Sequence, residues 1–353
     1  MVLTLDLNLQ TYVETRLAQA IQDTRATSGT IIVMETKTGA ILASASWPGY
    51  DPNRAIELAS KSGAGLLRDP AVSEVYEPGS VLKVLTIAAA LELGQVTTRT
   101  IFTDTGRLVI NNKRIYNSDR GRYGRVDIED ILANSLNVLT AQIALDIGEK
   151  AFYERFKLFG FGHRTGIDLG NEAAGTLRTP TDPEWSRTDL ATNSYGQGMT
   201  ATPYQVINAI NAIANDGVLM QPYIVQQWRE ADGEVVQKQP VQVARVVSVE
   251  TARTLREVMT AATRRGTPRA FVKGYTVAGK PSTADWYLRG VKQETTIVTY
   301  VGFLPADQPQ ITILVKLDQP RSSKWAGPTT VPVFHDVAER ACQILGIAPN
   351  AAK

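Results

Sequence analysis

Cysteine and histidine are nearly missing from this 353-residue chain, and their scarcity excludes several kinds of site. Cys342 is the only cysteine, so no disulfide can form within the chain, and its apolar helical surroundings predict a buried thiol. The two histidines, His163 and His335, are too few for a His-rich metal site and nearly exclude Cys/His zinc ligation. We therefore expect no metal and no cofactor, and we expect that a serine enzyme built on this chain uses a base other than histidine.

An excess of one charge is also lacking. The 37 basic and 35 acidic residues leave a net charge of +2, which is too balanced for a nucleic-acid binder that relies on a basic field. No apolar run is long enough to span a bilayer, and no signal peptide is recognisable. The sequence indicates a globular protein, or the globular part of a longer anchored one, with 43% hydrophobic residues to fill a core.

Strand patterns lie at both ends of the chain, and helical patterns fill its middle. Asp6 is a suitable N-cap for a helix over Leu7–Thr24, and a hairpin of two strands is predicted over Thr30–Met34 and Ala40–Ser46. The other predicted elements are helices over Val81–Leu93, Ile128–Leu145, Pro203–Ala214 and Val333–Leu345, and strands over Tyr275–Lys280, Thr295–Leu304 and Ile311–Leu317.

This order of elements predicts an α+β fold. We expect one antiparallel sheet built from residues 1–50 and 270–350, flanked by the terminal helices, with an all-helical lobe over residues 70–220 inserted between the two ends. The whole chain, residues 1–353, is predicted to form one domain, and a cleft between its two lobes is the expected place for a site.

A serine and a lysine one helical turn apart carry the first candidate chemistry. Ser80 follows a Pro-Gly pair and opens the apolar helix, and Lys83 lies three residues later on the same helix face. Desolvation among Val84 and Leu85 disfavours the ammonium form, which leaves a neutral amine able to take the proton of Ser80. The structural alternative is a serine N-cap and a lysine that extends out of an apolar helix, and for this motif alone the alternative is favoured.

Two further motifs follow in the chain. Ser135 and Asn137 form an S-x-N pattern in the helical region, in which Ser135 can relay a proton and Asn137 can hold a substrate amide. Lys280 ends the apolar strand that contains Val277, where a cation facing a cleft suits a substrate carboxylate. A helix-end cap and an ordinary solvated lysine are the structural alternatives.

The order of these motifs resembles that of the penicillin-recognising active-serine enzymes, with S-x-x-K, S-x-N and a lysine-led strand in succession. The flanking sequence is similar to that of the class B penicillin-binding proteins, and this resemblance covers nearly the whole chain. It is carried by Leu5-Asp6-Leu7-Asn8-Leu9-Gln10, Thr36-Lys37-Thr38-Gly39-Ala40, Tyr195-Gly196-Gln197-Gly198, Ile213-Ala214-Asn215-Asp216-Gly217 and Gly302-Phe303-Leu304-Pro305.

The resemblance implies a peptidoglycan D,D-transpeptidase of the transpeptidase-domain fold. It implies that Ser80 is acylated by the penultimate D-alanine of a stem peptide, that Lys83 activates Ser80, and that β-lactams are trapped at the same serine. It further implies that Ser135 shuttles a proton and that Asn137 holds the donor peptide. A membrane anchor, a pedestal domain, an extracytoplasmic location and a membrane glycosyltransferase as partner are implied in the same way.

The third motif departs from the family pattern of Lys, Thr or Ser, Gly, Thr. Here the sequence is Lys280-Pro281-Ser282-Thr283, in which the resemblance assigns Lys280 and Thr283 to the substrate carboxylate and the amides of Ser80 and Thr283 to the oxyanion hole. Pro281 removes a backbone donor and is tolerated mainly at a sheet edge, and Ser282 places a side chain where glycine leaves room for a ligand.

This departure leaves three alternatives open. The change is tolerated in an active transpeptidase, or it slows or abolishes acylation and the chain is a scaffold or β-lactam sensor. A serine β-lactamase or D,D-carboxypeptidase uses the same acylation with water as the acceptor, although the flanking sequence argues against it.

Overall fold

The computed structural model describes residues 1–62, 67–288 and 291–350. Its α-helices are α1 (Leu7–Thr24), α2 (Ala55–Ser62), α3 (Pro70–Ser73), α4 (Lys83–Glu92), α5 (Ile128–Ala133), α6 (Asn137–Ile147), α7 (Glu149–Leu158), α8 (Arg187–Asn193), α9 (Pro203–Ala214), α10 (Val249–Gly266) and α11 (Ala326–Leu345). Its strands are β1 (Val2–Leu3), β2 (Ser28–Glu35), β3 (Ile41–Trp47), β4 (Phe102–Asp104), β5 (Arg107–Ile110), β6 (Lys113–Tyr116), β7 (Gly124–Val126), β8 (Val218–Met220), β9 (Val225–Arg229), β10 (Val235–Gln237), β11 (Gln242–Arg245), β12 (Ala278–Leu288), β13 (Val291–Leu304) and β14 (Ile311–Asp318).

The two ends of the chain meet in one antiparallel sheet with the strand order β12-β13-β14-β2-β3. β14 pairs with β2 along its full length, from Ile311 opposite Glu35 to Asp318 opposite Ser28. This pairing joins residues about 280 positions apart, so the sheet forms only when both ends are in place. The α+β fold predicted from the sequence is confirmed.

The sheet is buried on both faces, which explains why β2 is apolar along its length rather than alternating. Ile31 and Val33 pack in the core that the sheet forms with α1 and α11. Ile32 and Met34, on the opposite face, pack in the core shared with the helical lobe. The sheet therefore serves as the wall between two hydrophobic cores.

The helical lobe is built around α9, in which all twelve residues are buried. A capping box fixes its start, because the Thr202 side chain accepts a hydrogen bond from the Gln205 amide while the Gln205 side chain accepts from the Thr202 amide. The lobe differs from the all-helical prediction in one respect. Two short antiparallel ribbons, β4 with β7 and β5 with β6, lie between α4 and α5.

Three predicted elements have other boundaries. The helix predicted over Ile128–Leu145 is interrupted between α5 and α6, at the S-x-N motif. The strand predicted to end at Lys280 continues to Leu288, so Lys280 lies inside β12. The last helix begins at Ala326, and Pro332 lies within it rather than at its start. The apolar pattern continues through the interruption between α5 and α6, and it covers less of the chain than β12 and α11 do. Apolar periodicity therefore does not mark these three boundaries.

None of the helices in the described part of the chain has both the length and the apolar character needed to cross a membrane.

Candidate active site

A cleft of about 850 Å³ lies between the helical lobe and the outer strand β12 of the sheet. All three sequence motifs reach it, because Ser80, Ser135 and Asn137 line one side and Pro281 and Thr283 line the other. These segments come from three separate parts of the chain. Their convergence supports reading them as one site.

Ser80 lies in a single turn of 3-10 helix, Gly79–Leu82, which leads directly into α4. The amide of Lys83 donates to the carbonyl oxygen of Ser80, which fixes the turn. Ser80 is half-buried, and its hydroxyl makes no hydrogen bond to any described residue. The hydroxyl is therefore available for attack on a molecule in the cleft.

Lys83 is fully buried, and its amino group is directed at the S-x-N motif. Lys83 Nζ donates to the Ser135 carbonyl oxygen at 2.6 Å and to Ser135 Oγ at 2.9 Å. Burial lowers the pKa of Lys83 well below its usual range, and the positive charge of Lys280 lowers it further. A lysine with a lowered pKa gives up its proton more readily than an exposed lysine and can then accept one from a neighbouring group.

Ser135 has a left-handed backbone conformation, with φ of +55°. This conformation is uncommon for residues other than glycine, and it interrupts the helix between α5 and α6. The interruption turns both the carbonyl oxygen and the hydroxyl of Ser135 towards Lys83. The strained residue thus makes the contact between the first two motifs.

Asn137 is the first residue of α6 and lines the cleft. Its side-chain amide donates to the carbonyl oxygen of Tyr116 at 3.0 Å. This bond fixes the orientation of the side-chain amide and leaves the side-chain oxygen Oδ1 of Asn137 to accept a hydrogen bond from a substrate amide.

Side chains alternate along β12, so the third motif is divided between two environments. Lys280 and Ser282 are buried, whereas Pro281 and Thr283 are half-buried, and the cleft is lined by Pro281, Ser282 and Thr283. Burial lowers the pKa of Lys280 to about 7. The Thr283 hydroxyl accepts a hydrogen bond from the amide of Ala326, at the start of α11.

Pro281 does not disturb the sheet. Its pairing partner is Tyr300, and the register with β13 continues without a shift from Ala278 to Asp285. β12 is the outermost strand of the sheet, so the missing N–H costs no ladder bond on its free edge.

Ser282 is 3% exposed, and its side chain contacts the segment that leads into Ser80. Ser282 Oγ donates to the Pro78 carbonyl oxygen at 2.7 Å. The side chain therefore fills the space between β12 and the turn that carries Ser80, where Gly79 adopts a φ of +60°. It fastens the edge strand to that turn, and Ser282 lines the cleft together with Pro281 and Thr283.

The Tyr195–Gly198 loop packs against the turn that carries Ser80, a contact that none of the three motifs predicts. A Cβ on Gly196 would lie 2.2 Å from the carbonyl oxygen of Gly79, and the Gly79 amide donates to the Gly196 carbonyl at 2.9 Å. The Gly198 amide donates to a carboxylate oxygen of Glu77 at 2.8 Å. The glycines of the Tyr195–Gly198 loop are the sequence signal for this close approach, because only glycine permits it.

The remaining candidates from the sequence lie outside the cleft. His163 lines a separate cavity of about 260 Å³, and His335 is half-buried on α11 with its Nδ1 2.6 Å from the Phe271 carbonyl oxygen. Cys342 is 2% exposed, which confirms the buried thiol, and burial raises its pKa to about 11. The part of the chain that is described contains no group of three or more His, Cys, Asp or Glu residues suited to a metal ion.

Comparisons with known sequences match this geometry to a family. The profile of the penicillin binding protein transpeptidase domain matches residues 29–339. The chain is 33% identical to the stage V sporulation protein D of Bacillus subtilis, over 99% of this chain and 54% of that protein. It is 32% identical to the penicillin-binding protein PbpB of Mycobacterium tuberculosis, over 96% of this chain and 51% of that protein. The chain thus spans about half the length of these curated relatives.

Solved structures give the same result. Penicillin-binding protein 3 of Mycobacterium tuberculosis, in complex with aztreonam, superposes with a TM-score of 0.90 at 30% identity, over 99% of this chain and 80% of that one. The transpeptidase domain of penicillin-binding protein 3 from Burkholderia pseudomallei superposes with a TM-score of 0.84 at 27% identity, over 99% and 98% of the two chains. The resemblance predicted from the motifs is confirmed. Because the profile match includes both lobes and all three motifs, the chain belongs to the penicillin-binding protein transpeptidase domain family.

Proposed function

We propose that this chain is a serine-type peptidoglycan D,D-transpeptidase and a target of β-lactams. The observation that carries the proposal is the contact of Lys83 Nζ with Ser135. Lys83 follows Ser80 by one helical turn, and both serines line the cleft. Lys83, whose pKa is lowered by burial, lies three residues after Ser80, whose hydroxyl has no hydrogen-bond partner among the described residues; this arrangement fits a lysine-activated nucleophile. Curated relatives with the name peptidoglycan D,D-transpeptidase support the same activity.

In the proposed acylation step, Ser80 Oγ attacks the carbonyl carbon of the penultimate D-alanine while neutral Lys83 takes the hydroxyl proton. The backbone amides of Ser80 and Thr283 stabilise the oxyanion of the tetrahedral intermediate. The C–N bond then breaks, and the proton passes from Lys83 through Ser135 to the leaving amine of the terminal D-alanine. Asn137 holds the donor amide, and Lys280 and Thr283 face the carboxylate of the leaving residue.

In the second step, the amine of a neighbouring stem peptide attacks the acyl-serine. Its proton returns through Ser135 and Lys83, and the ester bond to Ser80 breaks as the new amide forms. A β-lactam follows the first step alone, because its leaving group stays attached and blocks the second amine. This difference explains how one serine serves as both the catalyst and the site of inhibition.

We also propose that residues 1–353 act as one catalytic domain on the outer side of the cytoplasmic membrane, held there by an anchor and assisted by a membrane glycosyltransferase. The support for this part is the family membership and the names of the relatives, since the chain spans about half of their length. Inclusion of the N-terminal residues in the domain is supported by α1, whose buried face packs in the same core as α11.

The test is acylation of the purified protein by a fluorescent penicillin, followed by mass spectrometry, with Ser80→Ala as the control. We expect one stable adduct on Ser80 that is absent from the variant, which also establishes that Pro281 and Ser282 are compatible with acylation. An adduct that is lost within minutes would favour a β-lactamase. A folded protein that forms no adduct would contradict the proposal and favour a non-catalytic scaffold protein.

A further inference from the structure

The cleft has a strongly cationic lining in a chain that is almost neutral. Four basic side chains border it within the described residues, against the single carboxylate of Asp285; the four are Lys113, Arg114, Arg120 and Lys324. All four are exposed, and none has a carboxylate within 4 Å in the described part of the chain. The chain as a whole has a net charge of only +2, so this concentration of positive charge is local.

Three of the four belong to one structure, which we call the cationic arm: the β5–β6 hairpin and the turn after it, residues 107–120. Ile115 of β6 is buried against Tyr195, so its neighbours Arg114 and Tyr116 point away from the core. The guanidinium of Arg120 lies 4.1 Å from the centre of the Tyr116 ring. Arg114 and Tyr116 thus lie on the same outward side of β6, and the stacking of Arg120 on the Tyr116 ring restricts the motion of Arg120.

A buried carboxylate, that of Asp104, holds the turn of the cationic arm through hydrogen bonds. Asp104 is 0% exposed and accepts hydrogen bonds from the Asn117 side chain at 2.9 Å and from the Tyr123 amide at 3.0 Å. The Asn117 side-chain oxygen accepts from the Val138 amide of α6. These bonds attach the turn of the arm to the helix that begins with Asn137.

The arm is also attached to the site itself, because Asn137 donates to the Tyr116 carbonyl oxygen. A donor peptide whose amide is held by Asn137 and whose D-alanyl end lies at Ser80 must extend its earlier residues along the wall of the cleft. Arg114 and Arg120 border that wall. Exposed cations without a partner attract an anionic ligand, and guanidinium groups bind carboxylates in two-point contacts.

We infer that the cationic arm is a subsite for side-chain carboxylates of the donor stem peptide, so that acidic stem peptides are better substrates than their amidated counterparts. This inference rests on the proposed transpeptidase function. It assigns a substrate preference to residues that none of the three motifs contains.

The test compares two synthetic pentapeptides ending in D-alanyl-D-alanine, one with free side-chain carboxylates on its second and third residues and one with carboxamides there. The measured quantity is kcat/KM for release of D-alanine in the presence of an amine acceptor. We expect the acidic peptide to be favoured about threefold to tenfold at low salt, since each exposed charge contact is weak. The preference shrinks when the ionic strength is raised to about 0.5 M, because salt screens exposed charges.

Variants separate the charge of the arm from its structural role. In Arg114→Gln/Arg120→Gln we expect the ratio of the two kcat/KM values to fall towards one, and in Arg114→Lys/Arg120→Lys we expect it to be largely restored. The matched control, Arg99→Gln/Arg229→Gln, removes the same charge from exposed arginines outside the cleft and keeps the wild-type ratio.

The failures are distinguishable. Absence of the penicillin adduct on Ser80 of the wild-type protein overturns the transpeptidase function, and this inference with it. If the adduct forms and the wild-type enzyme does not distinguish the two peptides, the subsite alone is overturned. The same holds if the glutamine variant keeps the wild-type ratio.

Discussion

At the scale of single residues, two buried lysines set the chemistry of the site. Lys83 is 0% exposed and Lys280 is 2% exposed, and burial lowers the pKa of both. Burial disfavours the charged form of an amine, so the two groups titrate in a range where an exposed lysine stays protonated. Lys83 can therefore act as a base, and Lys280 is a cation only up to about neutral pH.

The two buried lysines predict a bell-shaped pH profile for the acylation rate, with a decline on the acid side and another on the alkaline side. Acidification protonates Lys83, which then cannot accept the Ser80 proton, and above about pH 7 Lys280 loses the charge that faces the substrate carboxylate. The measurement is the second-order rate constant of penicillin acylation between about pH 5 and about pH 9, which reports the pKa values of the free enzyme.

Lys280→Arg tests the alkaline side, because a guanidinium keeps its charge throughout this range. We expect the alkaline decline to disappear, with a lower rate overall since the larger group has to fit a buried site. An alkaline decline of the same position in the wild type and the variant would show that another group is responsible.

At the scale of elements, the site depends on two irregular turns that lie against each other. The turn that carries Ser80 includes Gly79, and the Tyr195–Gly198 loop approaches it with Gly196. The Gly79 amide can donate to the Gly196 carbonyl oxygen only because no side chain separates the two segments. The position of Ser80 thus depends on a backbone contact made by a loop more than a hundred residues away.

Gly196→Ala is expected to reduce the acylation rate by about a hundredfold or more, because a displacement of the nucleophile by about 1 Å has that effect. The added Cβ would lie 2.2 Å from the Gly79 carbonyl oxygen, so the turn has to move. The measurement is the rate of penicillin acylation, with circular dichroism to check that the variant is folded.

Gly94→Ala is the matched control for this variant. Gly94 also has a positive φ, of +66°, but a Cβ there would meet no heavy atom within 4 Å. Both variants bear the left-handed backbone cost of about 1–2 kcal/mol, and only Gly196→Ala adds the clash. Equal loss of acylation in the two variants would contradict the proposed role of the contact.

At the scale of the whole molecule, the sheet joins the two ends of the chain and carries the helical lobe on one face. A buried ion pair lies on that face, where Lys316 Nζ contacts the two carboxylate oxygens of Asp318 at 2.5 and 2.7 Å. The same ammonium lies 5.1 Å from the centre of the Tyr76 ring, in the segment that leads to Ser80. The pair is therefore part of the junction between the lobes.

Lys316→Met is expected to lower the free energy of unfolding by about 3–5 kcal/mol, because it leaves the Asp318 carboxylate buried without its partner. The double variant Lys316→Met/Asp318→Leu removes both charges, and its cost is expected to be much smaller. Urea unfolding of the three proteins measures the difference. A double variant as unstable as the single one would show that packing, rather than the unpaired charge, is responsible.

The fold class, the family and the positions of the three motifs can all be predicted from the sequence alone. Helix α1, the β2–β3 hairpin and α9 follow from N-caps and apolar patterns that lie within a few turns of the chain, which is the range over which such signals act. The order of Ser80, Ser135 and Lys280 is likewise a property of the sequence.

How those residues meet, and what surrounds them, follows from the packing of distant segments in the folded chain. The contacts of Lys83 with Ser135 and of Ser282 with Pro78 join residues 52 and 204 positions apart, and no local pattern specifies such distances. The helix break at Ser135 is hidden within a continuous apolar pattern, and the cationic arm is one segment of the sequence whose place beside the cleft is visible only in the folded chain. Burial, which turns an ordinary lysine into a base, is a property of the packed molecule, because desolvation depends on every segment that excludes water from the site.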